Sequence, residues 1–314
     1  MSDHKINGLA VHFRQNSKWI GWASVIVSTV LFSITAPIAR AGIQRGMYPT
    51  TLTTARFSLG WLLLGATILV NRRKSEGSSL SQSIDRRGLW FCLLAGLCSG
   101  GASLAYFWAI SRTNASITSM LVSLYPLIVL LFLALRAEKL TLVNITRLVL
   151  GISGVYLLLG PGGRVDALGI LLALVCAFIF AIQLVITQWF LTEYPSMIVA
   201  YYVTGVTALV ALGTWLVQRA PWVNPGWQGW LIMLVLAIFC AYLSRLAMIR
   251  GIQEIGSAQV ALLAPADTML TVIWSMLFLQ ERLNLLQWIA CALILSSALL
   301  AIVKQRSWNT PLRS

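Results

Sequence analysis

The sequence predicts an all-α integral membrane protein that crosses the bilayer ten times, built as two inverted five-helix repeats. Three observations predict it. Hydrophobic residues are 58% of the 314 and charged residues only 10%, against the roughly 25% charged residues of a soluble domain. The charges are clumped, leaving repeated apolar runs near the ~20 residues that span a bilayer as a helix. Finally, two short signatures recur in the same order in the two halves of the chain. The runs do not alternate apolar and polar, so a transmembrane barrel is not expected.

A polar, basic tail covers residues 1–18. The run that follows is too long for a signal peptide and has no small-residue cleavage site, so it reads as a retained first span. The predicted spans are 19–39, 50–70, 88–110, 115–135 and 142–159, then 167–191, 196–217, 226–249, 257–279 and 285–303. Charged residues close most of them: Arg40 after the first, Arg72-Arg73-Lys74 after the second, Arg112 after the third, Arg136 after the fourth, Arg219 after the seventh and Arg250 after the eighth. Arg282 follows the ninth span and Lys304 the tenth. The domain boundaries that result are 1–18, 19–160, 167–304 and 305–314. With the amino terminus in the cytoplasm, inside segments hold fourteen Lys and Arg and outside loops six. That bias predicts a cell (inner or plasma) membrane protein with both termini cytoplasmic.

Tyr48-Pro49-Thr50 follows span 1 and Tyr194-Pro195-Ser196 follows span 6; Glu138-Lys139-Leu140 follows span 4 and Glu281-Arg282-Leu283 follows span 9. Each unit holds five spans, an odd number, so the second enters the membrane from the opposite side. Inverted repeats of this kind are common in secondary transporters.

The net charge of +14 could point to nucleic acid, but the basic residues sit at the ends of apolar runs, and no nucleic-acid partner is expected. Cys92, Cys98, Cys176, Cys240 and Cys291 lie within apolar runs and form no Cys-x-x-Cys pair. They read as small packing residues. His4 and His12 sit in the tail without partners. No Gly-rich nucleotide loop, catalytic set or metal cluster is visible, so neither enzyme nor cofactor is expected.

Asp267 is the one acidic residue well inside a span, two residues after Pro265. An ionised carboxylate at that depth is costly unless it is paired, hydrated or protonated. At helical spacing it shares a face with Thr271, Trp274 and Phe278, a combination suited to a cavity wall. Arg245, with Tyr242 one turn before it, is its expected partner in span 8. Such a pair is either a structural lock or one that substrate breaks and remakes. Arg56 in span 2 offers a fork for a substrate carboxylate, with snorkelling or a backbone-carbonyl contact as the alternative. Polar stripes add Tyr106 with Ser99 and Ser103, Ser123 with Ser116 and Ser119, and Gln183 with Thr187. These serve as helix packing or as ligands. Pro37, Pro126 and Pro265 are expected helix breaks that free backbone carbonyls.

The chain resembles the EamA-type family of the drug/metabolite transporter superfamily. Phe32-Ser33 with Pro37, Ala55-Arg56-Phe57, Tyr125-Pro126 followed by Glu138-Lys139-Leu140, and Pro265 followed by Glu281-Arg282-Leu283 carry the resemblance. It covers about Trp19 to Val303. Pro126 lies 12 residues before Glu138, whereas Pro265 lies 16 before Glu281. The resemblance implies a secondary transporter, an exporter of amino acids or related small metabolites, working by alternating access. A drug or cation efflux transporter is the alternative, and a non-transporting receptor or assembly subunit a further one. The partners expected are a small-molecule substrate and the lipid bilayer. No residue pattern specifies a coupling ion or an oligomeric state.

Overall fold

A computed structural model describes residues 19–74, 84–134, 166–220, 226–261 and 263–308, with scattered positions from 146 to 157. Among the described residues every regular element is helical. The predicted fifth span, with Arg147, falls largely outside them, as do both predicted tails apart from 305–308.

The first span is α1 (19–33) followed by α2 (Thr35–Gln44), with a turn at Ile34 between them. Pro37 is the cause. It has no N–H for the carbonyl of Ser33, and its ring crowds that carbonyl. Ser33 O instead accepts the Thr271 hydroxyl at 3.0 Å. Next come α3 (Pro49–Lys74) and α4 (Arg86–Arg112). The fourth span is two half-helices, α5 (Ala115–Val122) and α6 (Tyr125–Ala134). Then follow α7 (Ala167–Phe190) and α8 (Ser196–Val217). The eighth span joins α9 (Gly226–Val235), a π-helical segment (Leu236–Leu243) and α10 (Ser244–Ile255). The ninth is again two pieces, α11 (Ser257–Ala261) and α12 (Ala264–Leu279), and α13 (Leu285–Trp308) ends the described chain.

Six of these helices are long and apolar enough to cross a membrane: Trp19–Gln44, Pro49–Val70, Arg86–Arg112, Ala167–Phe190, Ser196–Val217 and Gly226–Ile255. The described apolar stretches of the fourth and ninth spans are shorter, and both spans are broken. Both breaks follow one rule. Pro126 is the second residue of α6 and Pro265 the second of α12. At that position the missing N–H is one of the donors a helix leaves unpaired anyway, so proline starts a half-helix rather than bending a whole one. The two prolines are therefore equivalently placed at their breaks. The difference in spacing to Glu138 and Glu281 arises downstream of them.

The packing core is α4, which lies against both α7 and α8, while α3 lies against α8 and the π-helical segment. Small residues permit this closeness. A Cβ at Gly96 would lie 2.5 Å from Val206 Cβ, and one at Gly100 would lie 2.8 Å from Val210 Cβ. Gly154 meets α13 in the same way, its Cβ falling 2.6 Å from Ile294 Cγ1, so it packs within the protomer.

Polar contacts tie the helix ends at both faces. On one face, the Glu281 carboxylate accepts the amides of Ala115 (3.0 Å) and Ser116 (3.2 Å) and the Ser116 hydroxyl (2.7 Å). Arg40 Nη1 donates to the carbonyl of Ile110 at 2.6 Å, at the end of α4. Arg112 pairs with Asp166 at 2.8 Å. On the opposite face, Tyr194 Oη donates to Asp85 at 2.5 Å, and the Gly88 amide donates to the same oxygen at 2.8 Å. The Tyr194 hydrogen bond, and then the Gly88 one, hold the Asp85 carboxyl below the usual carboxylate range. Gln188 Oε1 accepts the Ser257 amide at 2.8 Å and also its hydroxyl.

Candidate functional site

A cavity of about 730 Å³, counting its open mouth, lies where these helices converge. Its wall takes Arg56 and Phe57 from α3, Ser99 and Tyr106 from α4, and Phe180 and Gln183 from α7. Arg245 comes from α10, and Ser123 and Asp267 sit beside the two helix breaks. Of the residues singled out in the sequence, Asp267, Arg245, Arg56, Tyr106, Ser123 and Gln183 are thus brought together.

Arg56 is 2% exposed. Its Nη2 donates to the carbonyl of Cys240 at 2.8 Å, inside the π-helical segment. The guanidinium lies 5.6 Å from the Phe32 ring centroid, 5.0 Å from Phe57 and 5.8 Å from Phe107. Its Nε is buried without a hydrogen-bond partner. This enclosure excludes snorkelling, while the Cys240 contact is the backbone-carbonyl one expected as the other alternative to a ligand role. Arg245 Nη2 donates to Ser99 Oγ at 2.5 Å, and its guanidinium lies 5.7 Å from the same Phe57 ring. Two like charges are thus drawn toward one ring, whose negative face offsets part of their repulsion.

Asp267 sits in the first turn of α12, where the helix dipole favours a negative charge. Its amide donates to Leu263 O at 2.9 Å, but its Oδ1 is buried without a hydrogen-bond partner. The expected Arg245–Asp267 pair is therefore not formed: Arg245 turns to Ser99 and the carboxylate oxygen is left open. Gln183, 1% exposed, has both Nε2 and Oε1 buried and unpartnered. Buried polar side chains are almost always satisfied, so three such groups around one cavity define a surface prepared for a polar guest.

Five residues expected on cavity-facing stripes lie elsewhere. Thr271 donates to Ser33 O, and Trp274 Nε1 donates to Ser33 Oγ at 3.3 Å. Both lock α12 onto the break in the first span, so the carbonyl that Pro37 frees is already occupied. Phe278, on the same face, is 71% exposed. Tyr242 bonds Thr67 across to α3, Oη to Oγ1 at 2.9 Å, outside the cavity. Its expected shared face with Arg245 assumes α-helical spacing, but Tyr242 falls in the π-helical segment, whose i→i+5 bonding rotates it away. Ser116, expected on the stripe with Ser123, goes to Glu281 instead.

Sequence reasoning missed Phe180, Tyr125 and the Cys240 carbonyl. Tyr125 sits edge-on to Phe180 at 5.0 Å, and Phe32 is stacked on Phe180 at 6.4 Å. The spacing of Phe180 and Gln183, three apart on one helix, was an available signal. A π-helical segment leaves no such signal in a continuous apolar run.

The chain matches the EamA-like transporter family over residues 18–160 and 167–303. It is similar to the "Uncharacterized transporter YcbK" of Bacillus subtilis (strain 168), 25% identical over 282 residues that cover 86% of this chain and 89% of the relative. A crystal structure superposes with a TM-score of 0.66 at 23% identity, covering 94% of this chain and 99% of the other, which bears on fold alone. Broken apolar helices around a polar cavity and a family match over most of the chain agree: this is a multi-pass membrane protein of the EamA-like transporter family, a transporter and not an enzyme.

Proposed function

We propose that the chain is a secondary transporter of small zwitterionic metabolites such as amino acids, working as an exporter by alternating access. The observation that carries this reading is the separation of opposite charges across one cavity. Arg56 and Arg245 offer guanidinium groups, and Asp267 offers an open carboxylate oxygen. A carboxylate suits the first pair and an ammonium suits the second. Two guanidinium groups repel a bare cation, which weighs against drug or cation efflux. A purified sample in liposomes, offered amino acids, sugars, nucleosides and lipophilic cations, is expected to move amino acids. Transport of the cations with no amino-acid transport would overturn the proposal.

The same reading takes 19–160 and 167–304 as inverted five-helix repeats, ten spans in all. The half-helices of spans 4 and 9 support it: they break at equivalent prolines and bring Ser123 and Asp267 to the cavity. Broken helices at the repeat interface are where transporters place their substrates. The Lys and Arg bias supports a cell-membrane location with both termini on the cytoplasmic side. Reporter fusions should find both termini inside, Arg45 outside and Ser78 inside; the two termini on opposite sides would remove the ten-span inverted arrangement.

A further inference from the structure

We infer that Gln183 is a specificity-determining residue that reads a neutral group, one able both to donate and to accept a hydrogen bond, on the substrate side chain. This rests on the zwitterion reading above. A carboxamide fits best, since it presents one donor and one acceptor to a facing amide.

The argument starts on α7. Cys176, Phe180 and Gln183 all line the cavity, four and then three residues apart, so one helical stripe faces it. The main chain there is already used: Thr187 Oγ1 donates to the Gln183 carbonyl at 2.9 Å. The side chain is not, because both polar atoms of its amide are buried and unpartnered. Two hydroxyls in the same wall are satisfied internally. Ser123 Oγ donates to Met120 O at 2.6 Å, and Ser99 Oγ accepts from Arg245. Gln188, farther along α7, uses its Oε1 on Ser257. Gln253 gives its amide to the carbonyls of Leu191 and Tyr194, at 2.9 and 2.7 Å. Gln183 is therefore not a link in a packing network.

Phe180 precedes Gln183 by one turn, flanked by Phe32 and Tyr125. An aliphatic side chain entering there would leave both amide atoms of Gln183 buried and unsatisfied. A carboxamide would satisfy both. Sites built around a buried hydrogen-bonding group discriminate strongly against analogues that lack it. With the charged groups holding the common ammonium and carboxylate, this amide is left to distinguish one substrate from another.

The test uses pairs matched in shape, glutamine with methionine and asparagine with leucine, bound to the purified full-length protein. The wild type should prefer the amide of each pair by about tenfold or more. Gln183→Met keeps the length but not the polarity. It should reduce that preference to near unity by weakening the amide alone. The variant should also melt at the same temperature as wild type or higher, because an orphaned amide is replaced by a thioether. A packing role predicts the opposite, a lower Tm, and Gln183→Leu provides a second check should Gln183→Met fold poorly. Equal ratios in wild type and variants overturn the inference alone. Binding of none of the four amino acids overturns the zwitterion reading and this inference with it.

Discussion

Replacing Asp267 with asparagine is expected to weaken amine-bearing substrates about 10–100-fold, the range expected from losing one charge-assisted contact, without destabilising the protein. The second half of that expectation separates the readings of this residue. Were Asp267 the buried partner of Arg245, neutralising it would strand a guanidinium in the membrane and destabilise the fold strongly. In the structure Arg245 bonds Ser99, and Asp267 Oδ1 has no partner. Removing the charge therefore relieves an uncompensated carboxylate rather than creating one. Tm in detergent should hold or rise while transport of amino acids falls. A neutral analogue should be affected less. A large drop in Tm, recovered together with transport in an Asp267→Asn, Arg245→Gln double variant, would return the residue to a structural role.

Glu281→Ala is expected to lower both stability and transport. Its carboxylate accepts three hydrogen bonds at the start of α5, where the helix dipole also favours a negative charge. Glu281 itself follows the end of α12, whose last turn closes through Gln280 in a left-handed conformation, φ 52°. One side chain thus ties the end of the half-helix that begins beside Asp267 to the start of the half-helix that leads to Ser119 and Ser123. Losing it costs about 1–3 kcal/mol, given that the group is only half-buried. Tm should fall by several degrees, and transport should slow because α5 is no longer held in register. Glu281→Gln, which keeps an acceptor oxygen but no charge, should lie between the two. An unchanged Tm and transport rate in Glu281→Ala would show that the clamp holds nothing.

Much of this was legible in the sequence. Apolar run length gave the helices, because lipid leaves the backbone few other options. Asp267, Arg245, Arg56 and Gln183 stood out because polar side chains are costly at that depth, and the fold gathers all four around one cavity. Pairing was not legible. Arg245 and Asp267 were natural partners by charge, but Ser99 lies within reach of the guanidinium and the carboxylate is left open. Thr271 and Trp274 share a helical face with Asp267, and periodicity places residues on a face without saying what that face meets. It meets the kink at Ile34, where Pro37 has freed the Ser33 carbonyl. Tyr242 was misplaced because a π-helical segment changes the period inside an otherwise uniform apolar run. Glu281 was visible as a repeated signature, but its role depends on a half-helix 165 residues away in sequence.

If opposite charges across the cavity hold the two ends of a zwitterion, blocking each end in turn weakens binding. Affinities of the purified protein would be compared for the amino acid it binds most tightly, its N-acetyl derivative and its methyl ester. Each blocked form is expected to bind about tenfold or more weakly than the parent, since each loses one charge-assisted contact. A methyl ester that binds as well as the parent would contradict the zwitterion reading, and would make Asp267 the site of a cation rather than one end of a zwitterion.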